Sequence, residues 1–358
     1  MSSKSLLIDA AHFTFGLAPC LLYTLNVAST FVDEFIASSY RSSYGIELGV
    51  EGKKFYWSII TSILPIGMCL GSLLVSVLAD RIGRKPTMLV VKNALCIAGS
   101  LIGFSAVQFL KSFELLILGR LLMGMATGMA LSLGIYIAEC HTRKRESTMA
   151  IIIWMVEVQN AIGLLLHTPI FLGRQDIWHY GQLLPLFSSL IHMCLTFYLP
   201  ETQKHLYITE NNEKEAKMSY LFFGGTEAEW QQQKEEFEKE KALQQSQEKK
   251  ISLGHILRTR HLRWPLIICV AAGFTINLNG NDIANHYSTE TMAALGLNSS
   301  QSMYFTVLFV GCVAIGTMTI GWFALDSATS LDVERRCAPT SRVVTPVQCD
   351  DGFFRVLR

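Results

Sequence analysis

Residues Gly119 to Arg145 read GRLLMGMATGMALSLGIYIAECHTRKR. Nearly everything between Arg120 and Glu139 is apolar, so the stretch reads as one membrane helix with a charge at each end. Gly124 and Gly128 are four residues apart and share a helix face. Small residues at that spacing make a flat stripe on which a neighbouring backbone can approach closely. Arg143, Lys144 and Arg145 follow at once, a basic cluster of the kind that flanks a span.

The composition extends this reading to the whole chain. Of 358 residues, 50% are hydrophobic and 16% charged, against about 25% charged in an average soluble chain. The mean hydropathy is +0.33. The expected class is an all-α polytopic membrane protein, with the lipid bilayer as its solvent. A net charge of +1 argues against a nucleic-acid partner. Cysteines 20, 69, 96, 140, 194, 269 and 312 lie in or beside apolar runs without metal-ligand spacing, and read as buried free thiols. The N-terminus, MSSKSLLIDAAHF, has a long apolar continuation and no small-residue cleavage site, so it reads as a first span.

Runs of about 20 apolar residues place eight spans at 8–32, 56–79, 87–109, 115–138, 148–171, 181–199, 264–287 and 302–325. Arg81, Arg84 and Lys85 follow span two, and Arg143 to Arg145 follow span four, while the alternate loops carry little positive charge. The positive-inside bias then puts both termini in the cytoplasm. Residues 1–199 form a six-span half, 200–263 a cytosolic linker, 264–325 the first two spans of a second set, and 326–358 an atypical polar tail. Within the linker, residues 226–250 carry a thin apolar stripe of Trp230, Phe237 and Leu243. Short helices under the bundle and a solvated linker both fit that pattern.

Three motifs carry chemistry. Asp80, Arg81, Gly83, Arg84 and Lys85 follow span two; charges crowded at a helix end with a glycine turn suit an ionic latch between helices. Gly119, Arg120, Gly124 and Gly128 lead to Tyr136 and Glu139 in span four. Pro200, Glu201, Lys204 and Leu206 follow span six. Together, from about Phe15 to Ala324, they resemble the major facilitator superfamily, and within it the sugar porter or facilitative glucose transporter family. The loop matches that family's D-R-x-G-R-R/K, span four its G-R-x-x-x-G-x-x-x-G and P-x-Y-x-x-E, and the third its P-E-S-P-R-x-L. The resemblance implies a pseudo-symmetric twelve-span bundle with substrate at the midplane between two halves. It also implies that Asp80, Arg81, Arg84, Arg120, Glu139 and Arg145 form a cytoplasmic gate whose ion pairs hold one state and release as the halves rock. Gly134 and Thr142 stand in place of family prolines, Ser76 in place of a glycine, and Glu146 where an arginine is expected, with Arg145 one step early.

Four candidates for substrate contact follow from the same resemblance: Gln159 in span five and Asn277, Asn279 and Asp282 in span seven. Their amides and carboxylate supply what a polyol needs from an otherwise apolar wall. Glu157 and Asp282 place acids inside spans, where a lone charge is costly; a proton or cation site and a protonated structural carboxyl are both open. Thr24 stands where proton-coupled sugar porters carry an aspartate, which favours facilitated diffusion. His12, His167 and His192 read as satisfied core residues, and Asn298-Ser299-Ser300 is an outside sequon set close to two spans.

The expected function is facilitative transport of a hexose or related sugar by alternating access, with no cofactor and no metal. No phosphate-binding G-x-x-x-x-G-K-S/T run and no hydrolytic triad suggests an enzyme or a pump. The resemblance implies that the last four of twelve spans are missing, so the chain as given is expected not to transport alone. Two alternatives stay open: a carrier for another organic solute, including a proton-coupled one, and a non-transporting regulator of a full-length partner. The expected place is the plasma membrane, and self-association is left open.

Overall fold

A computed structural model describes residues 14, 29–140, 158–246, 253–278, 291–292, 294–298, 300–313, 315–316 and 319. Among these residues all regular structure is helical, as expected of backbone that must satisfy its own polar groups in lipid. Helix α1 (Ser29–Tyr44) ends at a short corner, Gly45 to Gly49. The stretch between the first two expected spans, 33–55, is thus mostly helix. Val32, Ile36 and Ser39 are buried on one face, so the helical period of apolar contact outlasts the purely apolar run.

Helix α2 (Val50–Ile82) runs 33 residues to Gly83, about 50 Å at the α-helical rise. Its buried face is Trp57, Ile60, Thr61, Leu64, Gly67, Gly71, Val75 and Ala79. Ile66, Leu70, Leu73 and Val77 point outward, which in a membrane is the lipid side. Helix α3 (Arg84–Leu110) and the next span, residues Phe113–Cys140, complete, among the described residues, three helices long and apolar enough to cross a membrane. The last divides into α4 (Phe113–Gly128) and α5 (Leu131–Cys140) at a turn over Met129 and Ala130. The corner before α4 is clamped by Ser39, whose hydroxyl donates to the Lys111 carbonyl at 2.6 Å and accepts from the Phe113 amide at 3.0 Å.

Glycines set how close these spans lie. A β-carbon on Gly67 would meet the Leu121 carbonyl at 2.5 Å, and one on Gly119 would meet the Gly99 carbonyl at 2.9 Å. Gly124 and Gly128 face the carbonyls of Leu64 and Met68 in the same way. The flat stripe read from the sequence therefore holds α4 against α2 backbone to backbone. Residues 158–166 form α6, and Leu184–Phe197 form α7. Further on, α11 (Leu253–Arg258), α12 (Arg260–Leu278) and α13 (Ser300–Val313) follow. Leu164 of α6 packs with Met303 and Val310 of α13. The free cysteines among the described residues divide: Cys96 and Cys140 are buried, but Cys69, Cys194, Cys269 and Cys312 face outward. This corrects the expectation of uniform burial, because an apolar thiol is as well accommodated by lipid as by a core.

The linker forms a helical unit of its own: α8 (His205–Thr209), α9 (Glu213–Phe222) and α10 (Glu227–Ser246). Thr226 opens α10 with a capping box, its amide donating to Glu229 Oε2 at 3.2 Å while its hydroxyl accepts from the Glu229 amide at 3.4 Å. Trp230 and Phe237, seven residues apart, bury against Leu206, Tyr207, Ala216 and Tyr220. Leu243 is exposed, so the stripe ends two turns before the helix does. Lys217–Glu227 and Lys234–Glu213 pairs, at 2.6 and 2.7 Å, tie α9 to α10 from outside.

Candidate functional site

The turn between α2 and α3 can be made only by a residue tolerant of unusual backbone. Gly83 has φ +98°, and a β-carbon there would lie 2.5 Å from Glu201 Oε2; glycine meets both demands. The turn throws Arg84 back under the ends of α2 and α5. Its Nη2 lies 3.0 Å from Glu139 Oε1 and 3.7 Å from Asp80 Oδ1. Its Nη1 donates to the Ala79 carbonyl at 3.1 Å and contacts His205 Nδ1 at 3.2 Å. The Arg84 and Glu139 side chains are 12% and 11% exposed, so this pair is largely out of water, while Asp80 is 79% exposed.

The third motif closes the arrangement. Glu201 accepts from the Lys85 amide at 3.2 and 3.0 Å and from the Thr202 amide at 2.8 Å. A carboxylate thus sits on the N-terminal amides of α3, the end favoured by the helix dipole. Burial nevertheless pushes its carboxyl above the ordinary range, against the pull of those amides and of Arg84. Gln203 donates from Nε2 to the Glu139 carbonyl at 2.7 Å, and Lys85 donates from Nζ to the Phe197 carbonyl at 3.0 Å. Carbonyls left over at the ends of α5 and α7 therefore find partners in the next motif. Tyr136 donates to the Pro200 carbonyl at 2.6 Å. Three stretches far apart in sequence, 80–85, 136–139 and 200–206, meet here as one interlocked latch.

The linker is fastened to the same point. Ser219 donates to the Glu201 carbonyl at 2.6 Å, and Lys204 pairs with Glu240 at 2.5 Å. Phe222 and Phe223 pack against the Leu133, Tyr136 and Leu199 cluster. A cavity of about 370 Å³ opens beside the latch, lined by Asp80, Arg84, Lys204, His205, Ile208 and Thr209. Glu139 Oε2, Arg84 Nε and Gln203 Oε1 are buried without a hydrogen-bond partner among the described residues.

Of the expected gate charges, the structure joins Asp80, Arg84 and Glu139. Arg81 is exposed and makes no ion pair among the described residues. Arg145 lies outside the described residues. Arg120 needs correcting: it stands 19 residues before Glu139 on one span, about 28 Å away at the helical rise. It is buried (1% exposed) at the other end of the bundle, within electrostatic reach of His167. The His167 imidazole there fills the space that Gly181 leaves by having no side chain. Gln159 is fully buried, and Asn277 belongs to α12. Asn279, Asp282, Glu157 and Thr24 lie outside the described residues.

Two polar features escaped the sequence reading. His205 occupies the unspecified position before Leu206, where nothing in the motif marks it. Lys92 and Asn93 of α3, both fully buried, join His192 and Thr196 of α7: Lys92 Nζ donates to Asn93 Oδ1 at 3.3 Å, Asn93 contacts His192 Nδ1, and His192 Nε2 meets Thr196 Oγ1 at 3.0 Å. A lysine inside an apolar run was the available signal.

Apolar spans joined at a polar latch define a helical membrane protein of the major facilitator fold. The chain belongs to the sugar (and other) transporter family, whose model matches residues 13–330. It is 26% identical over 324 residues to solute carrier family 2, facilitated glucose transporter member 9, of Homo sapiens, covering 89% of this chain and 59% of that protein. It is 29% identical over 290 residues to member 7 of Mus musculus, covering 79% and 55%. The chain thus spans a little over half the length of these relatives. In fold it is similar to the proton:xylose symporter XylE bound to 6-bromo-6-deoxy-D-glucose, with a TM-score of 0.69 at 16% identity over 89% of this chain and 69% of that one. A partially occluded inward-open form of the xylose transporter XylE from E. coli gives a TM-score of 0.65 at 17% identity, over 90% and 72%.

Proposed function

We infer that the chain serves facilitative transport of a hexose or related sugar by alternating access. The observation that carries this is the Arg84–Glu139 pair at 3.0 Å, enclosed by the 200–206 segment. Such a pair is directional, so it is strong in one packing of the helices and lost in another. Breaking it frees the α2–α3 turn from the end of α5, which is the motion a rocking bundle needs. The names of the relatives, glucose and xylose transporters, support the solute class.

The positive charge of Arg81, Arg84 and Lys85 on the latch side supports a cytoplasmic latch and linker. The plasma membrane is the proposed location of the bundle. Gln159, Asn277, Asn279 and Asp282 are the proposed sugar contacts, since amide and carboxylate groups are what a sugar's hydroxyls pair with. Transport moves the sugar down its gradient and makes or breaks no covalent bond. Uptake of labelled hexoses by vesicles holding the full-length parent of this chain tests the proposal. Saturable uptake, competed by unlabelled sugar and lowered by Asp282→Ala, is expected. No saturable uptake of any hexose overturns it.

A proton-coupled carrier is the second reading, favoured by His167, buried beside Arg120 at the end of the bundle opposite the latch. Uptake accelerated by an imposed pH gradient and lost in His167→Gln would decide for it.

A further inference from the structure

His205 stands where the latch elements meet, and histidine is the side chain whose charge changes nearest neutral pH. Its side chain is 2% exposed. Arg84 Nη1 lies 3.2 Å from its Nδ1. A guanidinium only donates, so Nδ1 must accept. The imidazole in this latch is therefore neutral, with its proton on Nε2, which faces Glu210 Oε1 at 3.6 Å.

Taking up a proton changes that geometry. Nδ1 becomes a donor pointing at a donor, and a second cation stands 3.2 Å from the guanidinium. Asp80 from the end of α2, Glu139 from α5 and Glu210 after α8 pull the other way as anions. Lys204 is held by Glu240 and Glu201 by the Lys85 amide. Beside the ring, the 370 Å³ cavity offers room to turn outward.

We propose that His205 is a proton-operated release for the latch: neutral, it locks Arg84 onto Glu139, and protonated, it turns toward Glu210 and the cavity and frees Arg84. The proposal rests on reading this cluster as a conformational latch, and is independent of which solute is carried.

The direction with pH follows from the closed state. Burial first, then Arg84, hold the closed imidazole below its ordinary value, against Glu210, Glu139 and Asp80. Opening restores the ordinary affinity for protons. The contribution of His205 to closure is therefore full above its ordinary value and is lost as pH falls through the lowered one. Glu201 acts oppositely: burial raises its carboxyl, so acid acting on that group alone tightens the latch.

Hydrogen exchange of the 83–86 and 200–210 peptides, in the full chain in lipid nanodiscs and corrected for intrinsic exchange, reads this directly. Between pH of about 7.5 and 5, protection is expected to fall severalfold, because the closed imidazole takes a proton less readily than the open one. His205→Gln keeps an acceptor for Arg84 but takes no proton; its protection should stay level or rise with acid. Should that variant fail to fold, Glu210→Gln serves, removing the carboxylate that favours the charged ring and moving the loss to lower pH. Glu139→Gln should loosen the same peptides at every pH. Acid-independent protection in the parent, the same acid loss in His205→Gln, or an unmoved midpoint in Glu210→Gln overturns the proposal. No loosening in Glu139→Gln overturns the latch reading itself.

Discussion

Gly67→Ala adds one methyl group where α2 and α4 touch backbone to backbone. The new β-carbon would lie 2.5 Å from the Leu121 carbonyl oxygen and 3.0 Å from Gly124 Cα and the Met125 amide. Each of these is main chain, so no side chain can swing aside. To reach ordinary contact the helices must part by somewhat under about 1 Å, a gap that forfeits a quarter to a half of each dispersion contact across the seam. With on the order of 100 atom pairs at about 0.15 kcal/mol each, the loss is roughly 4–7 kcal/mol before relaxation. Relaxation and the better helix propensity of alanine return about 2–3 kcal/mol of that, leaving about 2–4 kcal/mol. Thermal melting of the purified protein in detergent, followed by Trp fluorescence, should show a drop of several degrees. Gly49→Ala is the control: nothing lies within 4 Å of a β-carbon there, and its φ of −66° suits any residue. Gly67→Ala combined with Gly124→Ala should cost less than the sum, because the seam is already open. Equal melting of Gly67→Ala and Gly49→Ala would refute the close-packed seam.

Other outcomes follow from the latch and the linker. Glu139→Gln leaves Arg84 largely buried without its 3.0 Å partner and should cost about 2–4 kcal/mol; a thermal double-mutant cycle with Arg84→Gln that shows no coupling would count against the pair. Gly83→Ala forces a non-glycine residue to φ +98° against Glu201, for a loss of about 1–3 kcal/mol from the backbone alone, read as lowered melting that Glu201→Ala partly restores. Trp230→Ala empties the centre of the linker core at about 3–5 kcal/mol. Trypsin should then cut within 227–246 at least tenfold faster while the spans stay protected, and unchanged cutting would mean the core is not closed.

How legible the protein was depended on the physics of each part. Helices α2 to α4 could be read because lipid demands long apolar runs, and the spacing of Gly124 and Gly128 announced a close neighbour. Which neighbour it was could not be read, since Gly67 and Gly71 carry the same signal without saying what they face. The latch residues were legible as a set because charges at helix ends are few in such a chain. Their pairing was not: the span already sets Arg120 and Glu139 at opposite ends, but nothing in the sequence says that Glu139 meets Arg84. His205 gave no signal, because a polar residue at the motif's unspecified position is indistinguishable from surface, and Gln203 stands where the motif has a proline and says nothing of its partner. In the linker, Trp230 and Phe237 were recognised by spacing, while Leu243 shows that a stripe on a charged helix need not be covered throughout.

The chemistry of the Arg84 cluster bears on how the proposed latch would open. An apolar seal of the same size would hold through area alone and would slide gradually as the helices shift. The Arg84 cluster instead depends on distances, with contacts at 3.0, 3.1 and 3.2 Å that are all lost by a small displacement of one helix end. It is also incompletely satisfied: Glu139 Oε2 and Arg84 Nε have no hydrogen-bond partner among the described residues. Each such buried atom takes back about 1–3 kcal/mol, so the closed latch gains little net free energy from its ion pair and retains its specificity. The linker adds a second hold, since Ser219 and Lys204 tie α9 and α10 to the same segment. Opening therefore has to displace 200–206 from Glu139 or carry the linker with it. A latch with a small net stability and two anchors is poised to be shifted by a change of one charge, and His205 is placed to supply that change.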